Sequence, residues 1–349
     1  MKLSMQVGYA GGFAESVAQV QALETAGMDI VYVAEAYGYD AVSLMGFLAA
    51  KTTTVQIASG ILPIYTRTPT LIAMTAAGVD DLSEGRAILG LGASGPQVIE
   101  GFHGVSYDAP IGRTREIIEI CRDVWERKGP VVHDGRYYQL PLPEGKGTGL
   151  GKPLKIITHP RRADIPIHVA SLGPKNVQLT AELANGWLPI LFHPGRAADV
   201  WGADLATGNA KRPPELGPMD VIAGGLLAIG PESDVAGFRD FSRAMVALYV
   251  GGMGARGKNF YNTLFTRYGY EAEAKEIQDL YLDGKKAEAA AAVPASFLEE
   301  TSLCGDEGYV TNRIAEFKEA GVTVLNVTPI AKTLADQQAL IAKVKELSE

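Results

Sequence analysis

Short apolar runs alternate with amphipathic stretches along the chain. The runs are LSMQVGY (3–9), DIVYVAE (29–35), VQIASGI (55–61), RAILGLG (86–92), IPIHVAS (165–171), GWLPILF (186–192), DVIAGGLLAIG (220–230) and VTVLNVTP (322–329). Each is rich in Val, Ile and Leu and bounded by Gly, Pro or polar residues, the signature of strands buried on both faces of a parallel sheet. Between them, helical spacing of apolar positions marks AESVAQVQALETAG, YDAVSLMGFLAAKT, TPTLIAMTAAGVDDLSEG, RTREIIEICRDVWERKG, KNVQLTAELANG, ESDVAGFRDFSRAMVALYV and TNRIAEFKEAG. Several of these stretches end in Gly, the common left-handed helix stop. Eight strands alternating with helices predict an α/β fold, a closed (β/α)8 TIM barrel. A doubly wound sheet is the alternative, and it would normally need fewer strands. Two segments interrupt the alternation. One, after the fourth strand, is the Gly/Pro-rich 129–164 with hairpin-like runs; the other, after the seventh, is 252–304 with extra helices. No polar linker separates two cores and no fixed period repeats, so one domain over 1–349 is expected.

Composition narrows the classes. At 349 residues and 47% apolar content, the chain can bury a large core, and its formal charge of −8 argues against a general nucleic-acid or anionic-membrane surface. The two cysteines, Cys121 and Cys304, lie far apart, and neither they nor the five histidines have metal-ligand spacing. No metal is expected. The N-terminus runs straight into a strand-like stretch without a cleavage pattern, and polar residues interrupt every apolar segment. These features predict a cytoplasmic protein.

In an α/β barrel the chemistry sits at the C-terminal ends of the strands. After the fifth run comes SLGPKN. Gly173 lets a ligand approach the backbone, Pro174 suits the first helical turn, and a helix N-terminus beside Lys175 favours an anion. An ordinary strand-to-helix turn would read the same way. After the third run, Ser59 and Gly60 interrupt a strand of β-branched character, which marks either a bulge or a simple strand end. After the fourth comes GLGASGPQVIEGFHG, glycine-rich and small, with room for a planar ligand. It is neither a Walker loop nor a dinucleotide fingerprint. After the second run Glu35, Tyr37, Tyr39 and Asp40 crowd one strand end. Asp40 reads as a helix N-cap, and Glu35 as either a catalytic or a rim-building carboxylate. Of the histidines, His193 follows the sixth run and is the one placed for a substrate pocket.

Taken in order, five segments resemble the luciferase-like flavin and deazaflavin oxidoreductases, the bacterial-luciferase superfamily. They include YVAEAYGYDAVSLMGFLAAKTTTVQIASGI, IHVASLGPKNVQLTAELANGWLP and CGDEGYVTNRIAEFKEAGVTVLNVTP, and together they span nearly the whole chain. Within that superfamily, GLGASGPQVIEGFHG and SLGPKN are most similar to enzymes that use coenzyme F420. The resemblance implies a (β/α)8 barrel with insertions and a non-proline cis peptide at Gly60–Ile61 that backs the cofactor ring. It implies that Ala93, Ser94 and Gly95 lie along the ring and its ribityl chain. Ala170, Ser171, Leu172, Gly173, Pro174 and Lys175 would receive the phosphate of the tail, and Glu35 would also lie against the cofactor. Homodimers are usual in the family.

One departure matters. Several deazaflavin relatives carry Asp-His after the second strand, where this chain has Glu35–Ala36. A proton donor must then come from Glu35, Tyr37, His193 or the substrate. The expected function is an F420-dependent oxidoreductase acting on a small organic substrate. The alternatives are an FMN-dependent monooxygenase of the same fold and a deazaflavin-binding protein without turnover.

Overall fold

A computed structural model describes residues 1–8 and 12–349. Eight parallel strands close into a barrel: β1 (Lys2–Val7), β2 (Ile30–Val33), β3 (Gln56–Ser59), β4 (Ala87–Gly92), β5 (Ile167–Val169), β6 (Gly186–Trp187), β7 (Asp220–Ala223) and β8 (Val324–Asn326). Neighbours in sequence are neighbours in space. Closure is made where β8 pairs with β1, Val324 opposite Lys2. This is the predicted barrel and not the doubly wound sheet.

Alternation along each strand divides two cores. Ile30, Tyr32, Ala58, Ile88, Ile222 and Val324 form a small cluster inside the barrel. Val31, Val33, Ile57, Leu89 and Leu325, one residue out of phase, join the larger core against the surrounding helices. Those helices are α1 (Phe13–Thr25), α2 (Ala41–Lys51), α3 (Pro69–Leu82), α4 (Pro110–Glu126), α5 (Pro174–Leu183), α6 (Ala197–Asn209), α7 (Glu307–Glu319) and α8 (Leu334–Leu347). Side chains start several of them. Asp40 accepts the Ser43 N–H at 2.9 Å, as its sequence position predicts, and Asp306 accepts the Tyr309 N–H at 2.7 Å.

The structure departs from the sequence reading in four places. The apolar pattern did not single out α6 and α8; α6 buries only Ala197, Val200, Trp201 and Gly208. The long seventh run is two strands. It breaks at Gly224–Gly225, where a Cβ would sit 2.2 Å from the Asn326 carbonyl oxygen and 2.1 Å from that of Thr301. Beyond the break, Leu226–Ile229 joins Leu303–Gly305 and Thr328–Pro329 in a separate three-stranded parallel sheet. The helix expected over 232–250 is broken into short α, 3-10 and π turns. Its end presses on Tyr281, 2.5 and 2.4 Å from where Cβ atoms on Gly251 and Gly252 would lie. Finally, GWLPILF is strand only over Gly186–Trp187. Pro189 cannot donate to a ladder, and the chain turns at Leu191, whose φ is +56°.

Residues 129–164 carry a two-stranded hairpin, His133–Asp134 with Gln139–Leu140, on an otherwise irregular path. Residues 252–304 carry four helices, Phe260–Arg267, Glu271–Leu282, Lys286–Ala291 and Ala295–Glu300. Among the described residues no helix is long and apolar enough to cross a membrane, and no cluster of His, Cys, Asp or Glu could hold a metal.

Candidate active site

Glycine shapes the wall under the mouth. The Gly60–Ile61 peptide is cis, the geometry implied by the family resemblance. Behind it, a Cβ on Gly60 would lie 2.7 Å from the Tyr32 Cβ. On β4, a Cβ on Gly90 would meet the Ser59 carbonyl oxygen at 1.8 Å, and one on Gly92 would meet Ile61 at 2.9 Å. The run AILGLG therefore lacks side chains where β3 leans across. Ser59 Oγ fastens the two strands, donating to the Gly90 carbonyl and accepting the Gly90 N–H, both at 2.8 Å. From β1, the Gln6 amide donates to the Gly60 carbonyl at 3.3 Å.

Under this wall, inside the barrel, the Tyr32 hydroxyl lies 2.8 Å from Nδ1 of His168. Complete burial pushes His168 down to about 4 and raises Tyr32 above its ordinary range. Both are therefore neutral near pH 7. A Cβ on Gly186 would lie 2.6 Å from the His168 ring, so that glycine makes the room the ring occupies.

After β4, Ser94 adopts a left-handed φ of +59°, and Gly95 precedes the short helix Pro96–Ile99. Ala93 packs on the main core. The Tyr107 hydroxyl donates to the Ser94 carbonyl at 3.4 Å. Tyr65 lies against Tyr107 and donates to the Asp108 carbonyl at 2.8 Å. Arg113 grips the Asp108 carboxylate with two 3.0 Å contacts and lies over the rings of Tyr65, Tyr137 and Tyr138. This network ties the loop to α4 and to the 133–140 hairpin. Sequence reasoning missed it, since its members are scattered over five segments without a motif.

After β5, the Ala170 N–H bonds to the Leu91 carbonyl at 2.9 Å. Two tryptophans then pin the turn: Trp187 Nε1 donates to the Ser171 carbonyl at 2.9 Å and Trp201 Nε1 to the Leu172 carbonyl at 3.0 Å. Gly173 is the N-cap of α5 without a side-chain cap, and a Cβ there would meet nothing within 4 Å. Pro174 opens the helix, and Lys175 is exposed. Oδ1 of Asn176 is buried without a partner among the described residues. Exchanging the amide's O and N would place a donor there. An uncapped helix start, open space and an unsatisfied amide fit an anionic group. The Ser171 hydroxyl is turned inward, 2.8 Å from the Thr180 hydroxyl, so at that residue a ligand would meet backbone.

The three proton-donor candidates separate. Glu35, with a side chain only 8% exposed, forms a bidentate pair with Arg67 at 2.5 and 2.8 Å and accepts the Ala41 N–H at 2.9 Å. That bonding raises Arg67 above its ordinary value. Both Glu35 oxygens act as acceptors, so the geometry speaks for a rim-building carboxylate and against a donor. Arg67, whose role the sequence did not disclose, is the partner that decides this.

His193 is also displaced from its expected role. It is 1% exposed, with its ring between Tyr268 and Phe297 of the 252–304 insertion. Its Nε2 lies 3.1 Å from Glu300 Oε2 without hydrogen-bond alignment, and burial pushes it below its ordinary value. The early turn at Leu191 carries it there, held by Tyr268, whose hydroxyl donates to the Leu191 carbonyl at 2.9 Å. Tyr37 alone of the three is well exposed, at 67%.

The fold is a (β/α)8 barrel, an architecture whose ligand sites lie at the C-terminal strand ends, where the loops after β2 to β5 stand here. A model of the luciferase-like monooxygenase family matches residues 1–324, and the chain belongs to that family. It is 41% identical over 98% of its length, and 99% of the relative, to a Mycobacterium tuberculosis protein provisionally named a coenzyme F420-dependent oxidoreductase. It is 29% identical to 5,10-methylenetetrahydromethanopterin reductase of Archaeoglobus fulgidus, covering 93% of this chain and 92% of that one. The coenzyme F420-dependent tetrahydromethanopterin reductase of Methanopyrus kandleri superposes with a TM-score of 0.77 at 23% identity, over 98% of this chain and 96% of that one.

Proposed function

We propose that the protein is an F420-dependent oxidoreductase acting on a small organic substrate. The observation that carries this is the open, uncapped start of α5 at Gly173, on the same mouth as the β3 bulge. The 41% identity to the M. tuberculosis relative then favours F420 over FMN. A deazaflavin, when bound, supplies hydride transfer at its ring carbon. The chain's own residues do the rest. The Gly60–Ile61 wall, braced by Ser59 and Tyr32, offers a rigid face for a planar ring. Ala93, Ser94 and Gly95 line its edge. The backbone around Gly173, with Lys175 and Asn176, takes the tail phosphate. Glu35 and Arg67 fix the loop after β2 as positioning residues.

Fluorescence titration tests the reading. F420 should bind the isolated protein at micromolar or lower Kd, at least tenfold tighter than FMN. Equal or reversed preference would move the assignment to a flavin monooxygenase. Binding without turnover of any substrate in a broad panel would leave a carrier.

The protein is further read as a homodimer. Leu71, Met74 and Leu82 are exposed on one face of α3, with Phe47 exposed on α2. Such an apolar stripe suits a second copy of the same surface. Met74→Glu should sediment as a monomer. A monomeric native protein would remove this part.

A further inference from the structure

Large aromatic rings stand exposed at the barrel mouth. Tyr37, after β2, is 67% exposed and Phe102, after β4, is 65% exposed. Their centroids are 6.2 Å apart. Strands β2 and β4 flank β3 and pair with it on either side. Tyr37 follows β2 and Phe102 follows β4, so the two rings join loops from the strands on either side of β3, whose C-terminal end carries Gly60–Ile61. Beside them Tyr39 is 74% exposed, edge-on to Phe13 at 5.4 Å.

Single exposed apolar side chains are ordinary, but adjoining exposed aromatics at a ligand mouth are not. The charges on this side are committed to the protein itself. Glu35 is paired with Arg67, Asp40 caps α2, and Glu100 accepts the Tyr107 N–H at 3.1 Å. Among these described residues of the loops after β2 and β4, none offers a free cation to a phosphate or carboxylate, and Asp40 would repel one.

We propose that Tyr37 and Phe102 form an aromatic lip that selects substrates with an uncharged, apolar body, such as an aromatic or long-chain aliphatic compound. Phosphorylated and carboxylated compounds are disfavoured. This rests on the reading of the mouth as the reaction site, but the lip itself can be tested without any cofactor. The rings grip the apolar body from the side opposite the bulge, and their faces accept many shapes because aromatic contacts are not tied to one hydrogen-bond pattern.

The test uses the full-length protein without cofactor and two probes that share a ring system, 1-naphthol and 1-naphthyl phosphate. 1-Naphthol should bind at least tenfold tighter than its phosphate. Tyr37→Ala and Phe102→Ala should each weaken 1-naphthol about tenfold and the double variant more, whereas Tyr37→Phe, which keeps the ring, should retain affinity. Thermal unfolding and sedimentation should match the native protein. Unchanged 1-naphthol affinity in the double variant would overturn the proposal, as would equal binding of the phosphate. A change of oligomeric state with unchanged probe affinity would assign the rings to an interface between copies and also overturn it. If 1-naphthol behaves as expected while F420 fails to bind, the functional reading falls and the lip stands.

Discussion

The Tyr32–His168 pair makes acid stability a quantitative test of how the wall under the mouth is built. His168 titrates at about 4 in the fold and at 6.5 in an ordinary setting, because burial penalises the imidazolium. Since the folded value is the lower one, the unfolded chain takes up the proton first as pH falls. Stability is therefore full above about pH 6.5 and declines between there and about pH 4. At about 1.4 kcal/mol per pH unit, the whole difference is worth about 3 kcal/mol, of which about 2 is lost between pH 7 and pH 5. Other groups titrate in the same window, so a comparison isolates the term. His168→Asn keeps a polar atom near Nδ1 for the Tyr32 hydroxyl and removes the titration. Urea unfolding at half-unit steps from pH 7.5 to 4.5 measures both proteins. The variant starts lower at pH 7, by about 1–3 kcal/mol for an imperfect replacement of a buried hydrogen bond. Its curve then flattens relative to the native one by about 2 kcal/mol at pH 5. Parallel curves would refute the assignment, since they would mean that His168 is protonated in the fold or reached by water.

Two further expectations concern the rim. Gly173→Leu should leave the melting temperature within a degree or two, because its Cβ meets nothing within 4 Å, yet weaken F420 at least tenfold; unchanged affinity in a folded variant would remove the phosphate site. Glu35→Gln should cost about 2 kcal/mol of stability by leaving Arg67 without its carboxylate, with both limbs of the pH–rate profile kept, whereas loss of one limb at unchanged stability would restore Glu35 as the proton donor.

The barrel was legible because its strands are buried on both faces, so each reads as a compact Val/Ile/Leu run whatever its neighbours. The bulge was legible in part for a related reason: Ser59 and Gly60 stand where a β-branched side chain is otherwise the rule. Why the glycines sit there was not legible. Gly60 answers to Tyr32, Gly90 to the Ser59 carbonyl and Gly186 to His168, and each partner lies on a different strand. The same limit applies to α6 and to the split seventh run. A helix that buries four positions has little periodicity to show, and a strand that changes sheets at two glycines looks continuous in one dimension.

What spacing could and could not place around the mouth follows the same logic. Spacing located Gly173 and Asp40 because caps are local; the Asp40 contact spans three residues. It could not see that Arg67, 32 residues away, closes both oxygens of Glu35, or that Tyr268, 77 residues from Leu191, carries His193 out of the mouth. With those two groups committed to structure, the proposed site rests chiefly on shape: a rigid wall, an open helix start and the proposed aromatic lip. Among the three proton-donor candidates, only the Tyr37 hydroxyl remains exposed at the mouth, and the substrate or water is its competitor. Tyr37→Phe separates them, because it keeps the ring of the lip and removes only the proton. Turnover that survives in this variant assigns the proton to the substrate or to water. Turnover that fails, with 1-naphthol affinity intact, assigns it to Tyr37.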